Sequence, residues 1–334
     1  MLRDPRHHRE GAVRMLWKPS RPFRLARETT DMEHAWILIA IGAACMQAVR
    51  TAAQKAINRH LSIWMTTYVR SLFGLPFLGL YLWAVVRVEG LGAPEFPPVF
   101  WAHAAGTAVA QVLATGVLIL LFQRANFAVG TMLTKTDVMQ AALIGSMLFS
   151  ETISNLGWIA ILLSVLGVLM ISTRQARGAI AGLSVRTILT SPATGLGLLT
   201  GFLFCLSYLF LREATLVLPE GSTIHRGAWT VAVVTAMQVA GLGLFVAVRE
   251  PAQFARLPPL WRPCAFIGLT SALGSIGWFT GFAMENASYV KAVGQVEVIF
   301  TVLISTLYFR ERISALEYAG IATIVASVTM FAIV

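Results

Sequence analysis

The chain has 334 residues, 57% hydrophobic and only 13% charged, with a formal net charge of +10 and a mean hydropathy of +0.71. Soluble domains carry roughly 25% charged residues, so the composition excludes one and points to an integral membrane protein. Eight basic residues fall in the first 33 positions, so the net charge is no argument for a nucleic-acid partner, and no zinc-finger spacing or RNP-like segment supplies one.

Residues 1–33 carry eight Arg or Lys and five Asp or Glu and lack the apolar h-region of a signal peptide. A basic, flexible tail is expected there. It either has no specific role or contacts anionic lipid headgroups, and Met32, just before the first apolar run, leaves an alternative start open for residues 1–31. Apolar runs long enough to cross a bilayer, about 20 residues each, follow at 35–54, 63–86, 99–122, 126–149, 155–173, 194–212, 227–248, 263–283, 287–309 and 315–334. Breaks rich in proline, glycine or basic residues separate them at GAPEFPP (92–98), TRQARGAIAGLSVR (173–186) and RLPPLWRP (256–263). The runs are continuously apolar rather than alternating, which excludes a β-barrel. Cys45, Cys205 and Cys264 lie in or beside spans and read as small apolar packers, not as disulfides or metal ligands. No phosphate-binding loop occurs, and no cofactor or metal is expected.

Shifted by 160 residues, the sequence falls on itself without a gap from Phe122 to Ser154. Phe122 meets Phe282, Asn126 meets Asn286, Asp137 meets Glu297, Glu151 meets Glu311, and FSETIS (149–154) lies on FRERIS (309–314). Each half holds five spans, an odd number, so the second half must enter the membrane upside down. The predicted fold is therefore an all-α integral membrane protein of ten transmembrane helices in two five-helix inverted repeats, the architecture of many secondary transporters. The expected organisation is a tail at 1–33, a first repeat at 34–173, a basic linker at 174–193 and a second repeat at 194–334. The Phe-x-Glu-x-Ile-Ser ends of spans four and nine, with the runs WIAILLSVLGVLMIS (158–172) and YAGIATIVASVTMFA (318–332), resemble the EamA-type transporters of the drug/metabolite transporter superfamily. The resemblance covers residues 35–334. It implies a secondary transporter in the bacterial inner membrane with cytoplasmic termini. It does not choose a substrate, because relatives sharing the fold move amino acids, sugars, cofactors or cationic drugs. The positive-inside count is a tie, with eleven basic residues on each side.

Ionisable residues at span depth are Arg50, Arg70, Lys135, Asp137, Lys291 and Glu297. Arg50 and Lys291 lie near span ends and can snorkel to the interface. The other four lie deeper, where a charge costs roughly 2.5–3.5 kcal/mol, so they should face protein or a water-filled cavity. Lys135 and Asp137 are two residues apart and cannot pair along one continuous helix. Thr134, Asp137 and Gln140 share one side of span four, which places Asp137 toward a cavity and Lys135 against a neighbouring helix, with Arg70, Gln111 or a backbone carbonyl as partners. For Asp137 and Glu297 two readings stand: a buried salt bridge with Arg70 or Lys135 that fixes packing, or desolvated carboxylates that couple transport to protons. Glu151 and Glu311 read as architectural, Ser154 and Ser314 as N-caps, and the glycine pairs 197/201 and 277/281 as close helix contacts.

The expected function is transport of a small polar metabolite, such as an amino acid, by proton-coupled or exchange-coupled export. The candidate residues are Asp137, Glu297, Lys135, Arg70, Gln111 and Gln140, and the partners are the solute and membrane lipid. Rival readings are an organic-cation efflux protein using the two acids, with Trp278, Phe279 and Phe282 lining the route, and an exchanger of anionic metabolites using Lys135, Arg70 and Lys291. A membrane enzyme is disfavoured, since the spans hold no histidine cluster or nucleophile–base pair.

Overall fold

The computed structural model describes residues 34–57, 60–124, 134–180, 191–309 and 313–333. The tail at 1–33, Asn126, Thr131, Glu311 and linker residues 181–190 lie outside the described residues. The helices are α1 (Ala35–Ile57), α2 (Ile63–Glu89), α3 (Pro98–Arg124), α4 (Asp137–Leu148), α5 (Asn155–Ile180), α6 (Pro192–Leu216), α7 (Thr223–Arg249), α8 (Trp261–Met284), α9 (Ala287–Gly294), α10 (Val296–Phe309) and α11 (Ala315–Phe331). The proline-rich break before α8 folds as two short 3-10 turns, Pro251–Arg256 and Pro258–Leu260. Helix α5 continues to Ile180, so the first residues of the expected linker are helical.

Seven stretches among the described residues are long and apolar enough to cross a membrane, with α4 and α11 as shorter apolar helices. Large apolar side chains cover the outside, including Leu38, Leu80, Trp83, Met147 and Leu244. Such a surface is stable against lipid and not against water. Small residues hold the inside. A Cβ added at Gly277 of α8 would come within 2.8 Å of Ala43 Cβ and 3.3 Å of the Ile39 carbonyl on α1, which is how a small-residue seam lets two helices approach.

The packing is reciprocal between the halves. Helix α3 packs on α6 as α1 packs on α8, and α2 on α7 and α5 on α11 pair like with like. Exchanging the two repeats returns the same set of neighbours, the signature of a pseudo-two-fold relation.

Two expected spans are interrupted. The run 126–149 is not one helix through its charges: the chain turns at Lys135 and Thr136, and α4 starts at Asp137. The run 287–309 is divided at Gln295 into α9 and α10. At that division the Ala292 carbonyl accepts from the Gln295 N–H at 3.2 Å and from the Ser164 hydroxyl of α5 at 2.8 Å. Backbone irregularity at such depth requires protein partners of this kind. The predicted N-caps form: Ser154 Oγ accepts from the Gly157 N–H, and Ser314 makes a full capping box with Glu317.

Candidate functional site

The two interruptions place the buried charges. Asp137 is the first residue of α4 and Glu297 lies in the first turn of α10, so both carboxylates sit at helix N-termini, where the macrodipole favours negative charge. Lys291 lies in the last turn of α9, where it favours positive charge. Repeat-related acids thus begin repeat-related half-helices, which explains why the sequence tolerates charge there.

The charges pair across the repeats. Lys135 Nζ of the first half lies 3.6 Å from Glu297 Oε2 of the second, and Lys291 Nζ of the second lies 3.7 Å from Asp137 Oδ2 of the first. Gln47 donates to Glu297 Oε2 at 2.7 Å, the Trp278 indole N–H donates to Gln47 at 3.0 Å, and Tyr208 donates to Asp137 Oδ2 at 3.2 Å. The Lys291 ammonium also stands 4.7 Å from the Tyr208 ring centre and 5.0 Å from that of Trp278, within cation–π range. Glycine at 294 makes this possible, since a Cβ there would come within 2.3 Å of the Trp278 ring.

These residues line a cavity of about 350 Å³ between the halves, together with Arg50, Arg70, Gln111 and Gln238. Gln238 donates to Gln111 at 2.6 Å and accepts from Ser71 at 3.3 Å. At one end the wall is tied by a second cross-repeat cluster. Buried Glu151 accepts from the Ala287 N–H at 2.7 Å and from Ser288 at 3.2 Å, capping α9, and its carboxylate lies 3.5 Å from Arg212 Nε. Arg212 in turn donates to the carbonyls of Phe282 and Glu285, and Asn286 donates to the Thr152 carbonyl at 3.0 Å.

Of the residues expected at the site, Asp137, Glu297, Lys135, Arg70 and Gln111 line this cavity. Gln140 does not. It bonds to Thr136 and the Leu198 carbonyl on the seam between α4 and α6, where Gly201 gives it room. Asp137 and Gln140 keep their helical spacing within α4, but the Gln140 amide turns to the Leu198 carbonyl of α6 instead of the cavity. Lys135 also faces the cavity, not only a neighbouring helix, and it pairs with Glu297, one of the salt-bridge partners expected for that acid. Snorkelling fails for Lys291, which is buried at 7% exposure and ion-paired, and Arg50 turns to the cavity as well. Gln47, Tyr208 and Gln238 were legible only as isolated polar or aromatic residues inside apolar runs, whereas Trp278, Phe279 and Phe282, expected along the route of an organic cation, do line the cavity.

The sequence model of the EamA-like transporter family matches residues 34–173 and again residues 191–333. The chain belongs to the EamA-like transporter family. The two matched segments are the two halves whose charges interlock, so this EamA-like protein builds its cavity from both copies of one unit. A solved structure described as "Crystal structure of protein" has the same fold, with a TM-score of 0.64 and 12% identity over 91% of this chain and 98% of that one. No curated protein matches at the level of sequence. It is a multi-pass membrane transporter by family and by its apolar helices.

Proposed function

We propose that this protein moves a small polar metabolite across the bacterial inner membrane by alternating access, exchanging one solute for another at the central cavity. Counting α9 with α10 as one interrupted crossing, and α4 with the apolar residues that precede it in sequence as its counterpart, gives ten spans in two inverted repeats. The observation that carries the reading is the reciprocal pairing of Lys135 with Glu297 and Lys291 with Asp137. Every one of these bonds joins the two halves, so rocking of one half against the other must stretch or remake them, and a solute in the cavity lies beside the same groups. Discontinuous helices at the centre of repeat-built transporters serve this purpose. Exchange is favoured over proton coupling because, among the described residues, each carboxylate lining the cavity already has a lysine.

The test is accessibility. Ser275 lines the cavity, and in a background with Cys45, Cys205 and Cys264 replaced by serine, Ser275→Cys should react with an impermeant thiol reagent added to either side of the membrane. Reaction from one side only, under every substrate condition, contradicts alternating access.

A further inference from the structure

The charges around the cavity do not cancel. Among the described residues four cations and two carboxylates line it, and the two ion pairs consume Lys135, Lys291, Asp137 and Glu297. Arg50 and Arg70 remain. Arg50 Nε is buried without a hydrogen-bond partner, and among the described residues neither guanidinium has an ion pair or hydrogen bond. Glu297 acts on Arg50 only beyond ion-pair distance, and the charge that acts on Arg70 is Arg50 itself. Residues 125–133, which precede Thr134 in the sequence, carry no ionisable side chain.

A partly buried cation without an ion-pair partner is unfavourable, and two of them lining one cavity repel each other. Such an arrangement persists where a ligand supplies the missing charge, which is the usual meaning of an ionisable residue inside a membrane. The guanidinium is the side chain that suits this, because its planar fork of donors matches carboxylate and phosphate oxygens two at a time. The cavity, about 350 Å³, is at the small end of the range of roughly 300–1,000 Å³ for small-molecule sites.

We propose that the solute is a small organic dianion, its charge carried by carboxylate or phosphate oxygens, and that Arg50 and Arg70 bind it. The inference rests on reading the cavity as the transport site. A neutral sugar or an organic cation leaves the arginines as they stand in the empty cavity, and a cation adds to the surplus. A dianion brings the charge of the whole wall to zero while both lysine–carboxylate pairs stay intact.

The experiment uses the purified full chain in detergent, with succinate, glycerol 3-phosphate, glucose and choline as probes, read by tryptophan fluorescence and by thermal shift. Succinate, glycerol 3-phosphate or both should bind and raise Tm progressively with concentration, and the preference between them separates a carboxylate from a phosphate solute. Arg70→Gln should weaken that binding at least about 30-fold, as expected for truncating one side of a desolvated charge pair. The same variant without ligand should melt no lower than the parent, because the substitution removes repulsion from Arg50. Arg70→Lys should recover part of the affinity. Binding of glucose or choline without either dianion, no binding by any probe, or wild-type dianion affinity in Arg70→Gln overturns the assignment. Exchange of glucose or choline by liposomes containing the protein would then leave the transport reading standing. Dianion binding without exchange of any solute upholds the arginine site and defeats transport.

Discussion

Replacing Lys291 by methionine isolates the second cross-repeat ion pair. Lys291 and Asp137 are 7% and 4% exposed, and their charges are 3.7 Å apart. At an effective dielectric of about 20, that separation corresponds to roughly 4.5 kcal/mol of attraction. Asp137 would be left with the Tyr208 hydroxyl alone, since its Oδ1 already lacks a hydrogen-bond partner. Breaking one side of a buried pair costs about 3–5 kcal/mol, and methionine keeps most of the packing against Tyr208 and Trp278. Reversible unfolding in mixed detergent–dodecyl sulfate micelles should therefore show Lys291→Met and Asp137→Asn each less stable by about 3 kcal/mol or more. The double variant should be closer to the parent than either single one, because it removes both charges together. Effects that add to within about 0.5 kcal/mol would mean that the groups do not interact, and the cross-repeat pairing would be refuted.

Gly294→Ala should cost about 1–3 kcal/mol of stability in the same assay, by overpacking, because the new methyl meets the Trp278 ring; the additional substitution Trp278→Phe should restore part of it. Ser164→Ala should cost about 1 kcal/mol by removing the hydroxyl donor to the Ala292 carbonyl, and hydrogen exchange should quicken at the amides around Gln295. Glu151→Ala should loosen the end of the cavity tied through Arg212 and the N-terminus of α9, so that a cysteine placed at Thr152 reacts faster with an impermeant thiol reagent than it does with Glu151 present.

The span positions were legible because a membrane helix must be apolar for about 20 residues, and most predicted ends fall within a few residues of the observed ones. The register at 160 residues was legible in its polar positions, and Asp137 and Glu297 do occupy matching places at the starts of α4 and α10. The interruptions were not. Nothing at Lys135 and Thr136 is a strong helix breaker, so a continuous wheel turned Lys135 away from the cavity. In the second half Gly294 next to Gln295 was the available sign, and with it Lys291 reads as the end of a half-helix instead of a residue near the membrane surface. Gln47 and Gln238 carry no charge and were not singled out as Gln111 and Gln140 were, although a buried amide needs partners as surely as a buried carboxylate does.

The most direct test of the account is counterflow in liposomes containing the purified protein, using a panel of dianions, zwitterions and organic cations. The account predicts that a labelled solute accumulates only when unlabelled solute is trapped inside, that an imposed pH gradient does not replace the trapped solute, and that Lys291→Met abolishes the effect. Accumulation driven by the pH gradient in liposomes without trapped solute, or equal flux through the Lys291→Met variant, would contradict it.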